Sequence, residues 1–191
     1  MEETDESIIE QYLQGNFSVF KILVEKYTPL LYSYVRRIGG GAYTEDIVQE
    51  SFINAWKQIN HFDTTKASFK TWLFRITRNK TIDILRKKQH YVFSDLDTNT
   101  EEDDIVFEQN IPDTQDLPDV IFQQHTDIEI LKSTIDELPE QYKTVLVLHY
   151  ENDMTFEAIG LILAKPPNTV KSWHRRAIMA LREKLHQKIS E

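Results

Sequence analysis

The chain has no cysteine. That excludes a disulfide framework and a thiolate zinc site, and it fits a reducing compartment. Glycine and proline are scarce, five and six in 191 residues, which argues against a loop-rich β protein. No apolar run approaches the roughly 20 residues a bilayer crossing requires. The opening stretch, MEETDESIIEQ, is acidic and lacks the basic-then-apolar order of a signal peptide. The expectation is a cytoplasmic protein without membrane insertion. Glycine-rich phosphate loops and nucleophile elbows are missing too. The histidines at 61, 90, 125, 149, 174 and 186 are scattered, and the one Glu-x-x-His, Glu183–His186, reads as a surface pair without partner ligands. No catalysis, cofactor or metal is expected.

Charge is present in quantity but unevenly placed. The net charge of −9 looks wrong for a nucleic-acid binder. Yet residues 94–119 hold ten acids and no Lys or Arg, which leaves 21 acids against 22 bases in the rest. Residues 66–88 carry eight bases and one acid, Asp83, and residues 165–188 carry seven bases and one acid, Glu183. Two basic patches flank one acidic stretch, a pattern the overall balance hides.

Apolar residues recur at helical spacing over most of the chain, which predicts an all-α protein. A first unit over 1–92 shows Phe17, Phe20, Leu23, Val24, Tyr27, Leu30, Leu31, Tyr34, Val35 and Ile38 up to the break at Gly39-Gly40-Gly41. Ile47, Val48, Ser51, Phe52, Ala55, Trp56 and Ile59 then form one stripe, expected to be core. A third helix follows Ser68, a suitable N-cap. Residues 93–120 have too few apolar side chains to offset ordering entropy and read as a flexible acidic linker, whose carboxylates compete with phosphate for the basic patches. A second unit over 121–191 has a short helix ending near Leu138, a restart after Pro139, and a helix that Thr155 can cap.

The second unit ends in PPNTVKSWHRRA, where a proline-marked turn joins two helices as a helix-turn-helix. Stepping 100° per residue gathers Val170, Trp173, His174, Ala177 and Leu181 on one side and Lys171, Ser172, Arg175, Arg176 and Met179 on the other. The first side suits packing and the second a major groove, where arginine fits guanine edges and phosphates. In NHFDTTKASFKTWLFRITRN, Phe62 and Phe69 interleave with Lys66, Lys70, Arg75, Arg78 and Lys80. Trp72, Leu73 and Ile76 read as core. Aromatics between cations suit unpaired DNA, because bases stack while cations hold phosphates.

Four segments in order, DIVQESFINAWKQINHFD, SFKTWLFRITRNKTIDILRKK, LPEQYKTVLVLHY and TFEAIGLILAKPPNTVKSWHRRAIMALREKL, resemble the extracytoplasmic-function group of bacterial sigma factors. The resemblance implies a subunit that directs RNA polymerase to promoters. The first unit would bind the polymerase clamp and melt the −10 element. The second would meet the flap and read the −35 duplex through Asn168, Thr169, Lys171, Ser172, Arg175 and Arg176. It implies a pocket for a flipped −10 base, built here from the loop 60–68 and Asn79, with Phe62, Lys66, Phe69, Arg75 and Arg78 around it. It also implies a clamp contact on the polar side of the 46–59 helix: Asp46, Gln49, Glu50, Ile53, Asn54 and Lys57, with Ile53 as apolar anchor. An anti-sigma partner and a stress-response role come with the family. The turn departs from the family where Ala164 and Asn168 replace glycines, Lys165 an apolar residue, Trp173 a basic one and His174 an aliphatic one. The rival classes are a dimeric helix-turn-helix regulator, which leaves the aromatic-basic helix unexplained, and a protein-binding adaptor, which explains neither basic patch.

Overall fold

The computed structural model describes residues 3–92 and 125–190, with side chains over 3–87 and 130–188. The linker expected over 93–120 lies outside the described residues. Every regular element among the described residues is helical: α1 (Asp5–Leu13), α2 (Phe20–Arg37), α3 (Thr44–Gln58), α4 (Phe69–Val92), α5 (His125–Asp136), α6 (Glu140–Leu146), α7 (Phe156–Leu163) and α8 (Pro167–Ser190), with short 3₁₀ turns between the early ones.

The helix starts follow the local chemistry. The Ser68 hydroxyl accepts from the Thr71 amide at 3.2 Å and opens α4, and Thr155 accepts from the Ala158 amide at 3.2 Å and opens α7. Pro139 sits just before α6, where its missing N–H costs nothing. Gly39, at φ 104°, ends α2 in a conformation that L side chains avoid. Gly160 is required for another reason: a Cβ there would stand 2.8 Å from the Lys165 carbonyl oxygen, where the chain turns back over α7.

In the first unit Leu23, Leu31, Tyr34, Val35, Ile47, Ala55, Leu73 and Phe74 are buried together. Each Leu, Val, Ile and Phe among them contributes roughly 1.5–3 kcal/mol relative to exposure. Two sequence expectations need correction. Phe17 does not join this core; it sits on a 3₁₀ turn and is exposed, edge-on to Tyr12. Trp56 is 52% exposed. It lies about 180° around the helix from Ile47, at the rim of the apolar stripe rather than inside it.

The two units pack directly on each other. Val145, Val147, Leu148, Met154, Ile159, Ile162 and Val170 continue the same buried cluster, and α4 lies against α7. Among the polar contacts across this boundary are Arg37 Nε to the Glu151 carboxylate at 3.2 Å and Lys70 Nζ to the Asn152 carbonyl oxygen at 2.5 Å. Burial, more than any neighbouring charge, lowers the Lys70 ammonium below the usual lysine value. A second, smaller cluster of Leu138, Leu146 and Ala177 ties α6 to α8.

Candidate nucleic-acid interface

The helix-turn-helix is built as its sequence suggests. Ala164 ends α7 at φ 53° and ψ 40°, the left-handed conformation a glycine adopts more cheaply. Pro167 is the first residue of α8, where its fixed φ suits the first turn. Val170 and Ala177 are fully buried, and Trp173, His174 and Leu181 are half-buried. Asn168, Lys171, Ser172, Arg175, Arg176 and Met179 are all exposed, and Thr169 is half-buried at the turn. No carboxylate partners Lys171, Arg175 or Arg176 among the described residues. The result is an open cationic ridge on a rigid helix, of the shape and charge that a major groove accepts.

The second basic surface lies at the start of α4. The loop before it is ordered by Asp63, whose Oδ1 accepts from the Thr65 amide at 3.0 Å and the Thr65 hydroxyl at 2.6 Å. Those bonds first, and Lys66 at 3.2 Å after them, hold the Asp63 carboxyl below its ordinary value. Phe62 is half-buried, packed on Phe69 at 5.8 Å and Trp72 at 5.1 Å. An open cleft of about 450 Å³ forms there, lined among others by Phe62, Lys66, Trp72, Arg75 and, from α7, Leu161.

Of the residues expected to hold the −10 strand, the structure brings Phe62, Lys66 and Arg75 to one cleft. Asn79, exposed, and Arg78, half-buried, lie farther along α4 and do not line it. Phe69 is a correction: its ring is fully buried against Tyr27, Phe62 and Trp72, so it supports the cleft and offers no face to a base. As the first residue of α4 it points into the core, although the cations around it suggested a surface position. Leu161 was missed, because nothing in the sequence places α7 beside this loop.

On α3, Asp46, Gln49, Glu50, Ile53 and Lys57 are exposed and Asn54 is half-buried. Ile53 is 41% exposed. Trp56 stands on the same side about 60° away, so the surface carries two apolar groups among polar ones. Glu50 pairs with Lys80 of α4. Among the described residues no group of three potential metal ligands exists, and no helix is long and apolar enough to cross a membrane.

An all-helical chain with a helix-turn-helix behind and an aromatic-basic helix in front defines a two-region DNA-reading factor. Comparison places it. The family model for sigma-70 region 2 matches residues 23–91, and the one for sigma-70 region 4 matches residues 128–181. The chain is 34% identical over 178 residues to the ECF RNA polymerase sigma factor SigW of Bacillus subtilis, covering 93% of this chain and 94% of that one. It is 28% identical to the ECF RNA polymerase sigma-E factor of Escherichia coli over 191 residues, covering 95% and 94%. Its fold is similar to that of the sigma factor RpoE solved in complex with the anti-sigma factor NepR from Bartonella quintana, with a TM-score of 0.65 at 23% identity over 87% of this chain and 96% of that one. The chain belongs to the extracytoplasmic-function sigma factors, the group of the sigma-70 family that directs transcription initiation by RNA polymerase.

Proposed function

We propose that the two basic surfaces divide the promoter between them. The outer side of α8 reads the −35 duplex with Asn168, Thr169, Lys171, Ser172, Arg175 and Arg176. The cleft at the start of α4 holds the melted −10 strand, with Phe62 as stacking face and Lys66, Arg75, Arg78 and Asn79 along the strand's path. The α3 surface of Asp46, Gln49, Glu50, Ile53, Asn54 and Lys57 binds the polymerase clamp, and Trp56 widens its apolar centre. The second unit meets the flap. An anti-sigma factor covers these surfaces when the protein is idle. The protein works in the cytoplasm and has no catalysis of its own.

The observation that carries this reading is the row of exposed, unpaired cations on α8, set on a helix whose other side is sealed into the unit. The cleft adds a step. Leu161 of α7 stands at its wall, so moving α7 away from α4 widens the path of an entering base. Core polymerase, by binding both units, supplies the energy for that step. The free protein therefore binds promoter duplex weakly and loses it steeply with salt.

Run-off transcription with core polymerase on a library of genomic promoter fragments tests the reading. Transcripts starting at promoters that share −35 and −10 elements are expected. Nanomolar, sequence-specific duplex binding by the free protein, with no transcription on adding core, would be the signature of a dimeric regulator and would end the proposal.

A further inference from the structure

One residue on the sealed side of α8 is not aliphatic. His174 sits half-buried between Val170 and Ala177. The Tyr150 hydroxyl lies 2.9 Å from its Nε2. The His149 ring stands edge-on to it at 5.2 Å and the Phe156 ring at 5.1 Å. His149 stacks on Phe156 at 4.6 Å, and its Nδ1 lies 2.8 Å from the Met154 carbonyl oxygen.

The proton positions follow from chemistry. A carbonyl oxygen only accepts, so Nδ1 of His149 carries a hydrogen. Burial pushes the Tyr150 phenol up, so it keeps its proton, and its hydroxyl can donate to Nε2 of His174 or accept from it.

The backbone is shaped to this arrangement. His149 and Tyr150 are consecutive residues of a π-helical turn, Val147–Glu151, that continues α6. Such turns are rare and occur mostly at functional positions. Asn152 closes this one, its side-chain amide donating to the Val147 carbonyl oxygen at 3.0 Å. Phe156 is the first residue of α7. The groups around His174 therefore come from the turn that continues α6 and from α7, two of the helices on which α8 packs. Among the described residues, Tyr150–His174 is the one side-chain hydrogen bond that ties the first four turns of α8 to the rest of the unit. Aliphatic packing at Val170 and Ala177 resists separation but is non-directional. A hydrogen bond fixes the rotation.

We propose that His174 is a positioning residue for promoter reading: Tyr150, His149 and Phe156 clasp its ring and so set the angle at which α8 presents the neighbouring Arg175 and Arg176 to the duplex. This rests on the −35 reading above. It carries a pH dependence. The titratable groups facing His174 from the packed elements are His149 and Tyr150; Phe156 is uncharged, and on α8 itself Lys171 lies one turn earlier. Protonating His174 leaves the Tyr150 contact one direction only, imidazolium N–H to phenol oxygen, and places a cation against a second imidazole in a half-buried site. Burial first and His149 second hold the His174 imidazole below its usual value. The folded state thus favours the neutral ring. The arrangement around the neutral ring is fully favoured above about pH 6.5, the ordinary histidine value, and weakens as pH falls through the lower value of the folded state.

The experiment uses holoenzyme assembled with core polymerase and a promoter duplex that the holoenzyme itself selects, with a −35-scrambled copy as reference. Binding is measured at pH 7.5 and 5.8 by fluorescence anisotropy. Tyr150→Phe, which keeps the ring and loses the hydroxyl, is expected to reduce the preference for the intact −35 element about 3- to 10-fold at pH 7.5. Binding to the scrambled copy and the melting temperature should stay unchanged. Wild type is expected to lose at least about 3-fold of that preference on going to pH 5.8, and His174→Leu to show a flat profile. The proposal is overturned if both variants keep the wild-type preference and the wild-type pH profile. It is also overturned if they weaken intact and scrambled duplexes alike while melting earlier, which is what a purely structural role gives. An Arg175→Ala/Arg176→Ala double variant separates the two claims. If that variant keeps the preference, the −35 reading fails and takes the clasp with it. If it loses the preference while the clasp variants do not, only the clasp fails.

Discussion

Helices α4 and α8 are each 24 residues long, and each carries several basic residues of its unit, yet the two present part of that charge differently. On α8 the cations of the outer side stand free in solvent. On α4 two of them are engaged, Lys70 donating to the carbonyl of Asn152 and Lys80 pairing with Glu50, while Arg75 is exposed, and the aromatics Phe69, Trp72 and Phe74 are buried. The difference teaches that a duplex reader can be preformed, because the major groove accepts a rigid helix with its side chains already outside. A single-strand holder works on bases that are unpaired only after melting, so its cleft can stay narrowed by a neighbouring helix such as α7 until melting occurs.

The largest expected effect breaks the comparison at its common support. Phe74 is fully buried beside Tyr34, their rings 5.2 Å apart, in the cluster both units share. Phe74→Ala should cost about 3–5 kcal/mol. Urea unfolding followed by circular dichroism should show one transition at lower midpoint. Two separated transitions, with the second unit unmoved, would mean the units do not share a core.

Next in size is the loss of the preformed face. Replacing Lys171, Arg175 and Arg176 together by alanine should remove about 1–3 kcal/mol for each base-edge contact and lower the salt slope of promoter binding by about one per lost phosphate contact. Core-polymerase binding should be unchanged. Phe62→Ala acts on the other face. Loss of one stacking platform, about 1–3 kcal/mol, should slow open-complex formation and lower permanganate reactivity in the −10 region. Premelted templates should rescue it only in part, because base capture as well as melting is lost. Wild-type reactivity would remove Phe62 from the account.

The smallest effect sharpens the idea that α4 is held closed. Arg37→Glu sets two carboxylates against each other at Glu151 and removes an ion pair contributing up to about 1 kcal/mol. Binding of a single-stranded −10 oligonucleotide to the free protein should rise by a few-fold. Weaker or unchanged binding would mean that the α4–α7 contact does not gate the cleft.

Much of this was legible in the chain. Ser68 and Thr155 are caps by residue type, the prolines at 139, 166 and 167 mark helix starts, and the split of α8 into sealed and open sides follows from its period alone. What stayed hidden depended on neighbours. Trp56 counted as core because a stripe has a rim that periodicity does not mark. Phe69 looked superficial among cations, but a residue at a helix start points wherever the fold directs it. Leu161 and the partners of His174 required knowing that α7 meets α4, and that a π turn brings Tyr150 to a residue 24 positions away.

The central claim, that the outer side of α8 is the −35 reader, is tested most directly by a cross between protein and DNA. Holoenzyme with wild-type protein or with the Lys171/Arg175/Arg176 triple alanine is titrated against promoter duplexes carrying each single substitution in the −35 element, with the −10 element constant. The account predicts that wild type distinguishes these duplexes by about 1–3 kcal/mol per critical base pair, and that the triple variant binds them all alike while still depending on the −10 sequence. A triple variant that discriminates among −35 substitutions as wild type does would contradict it.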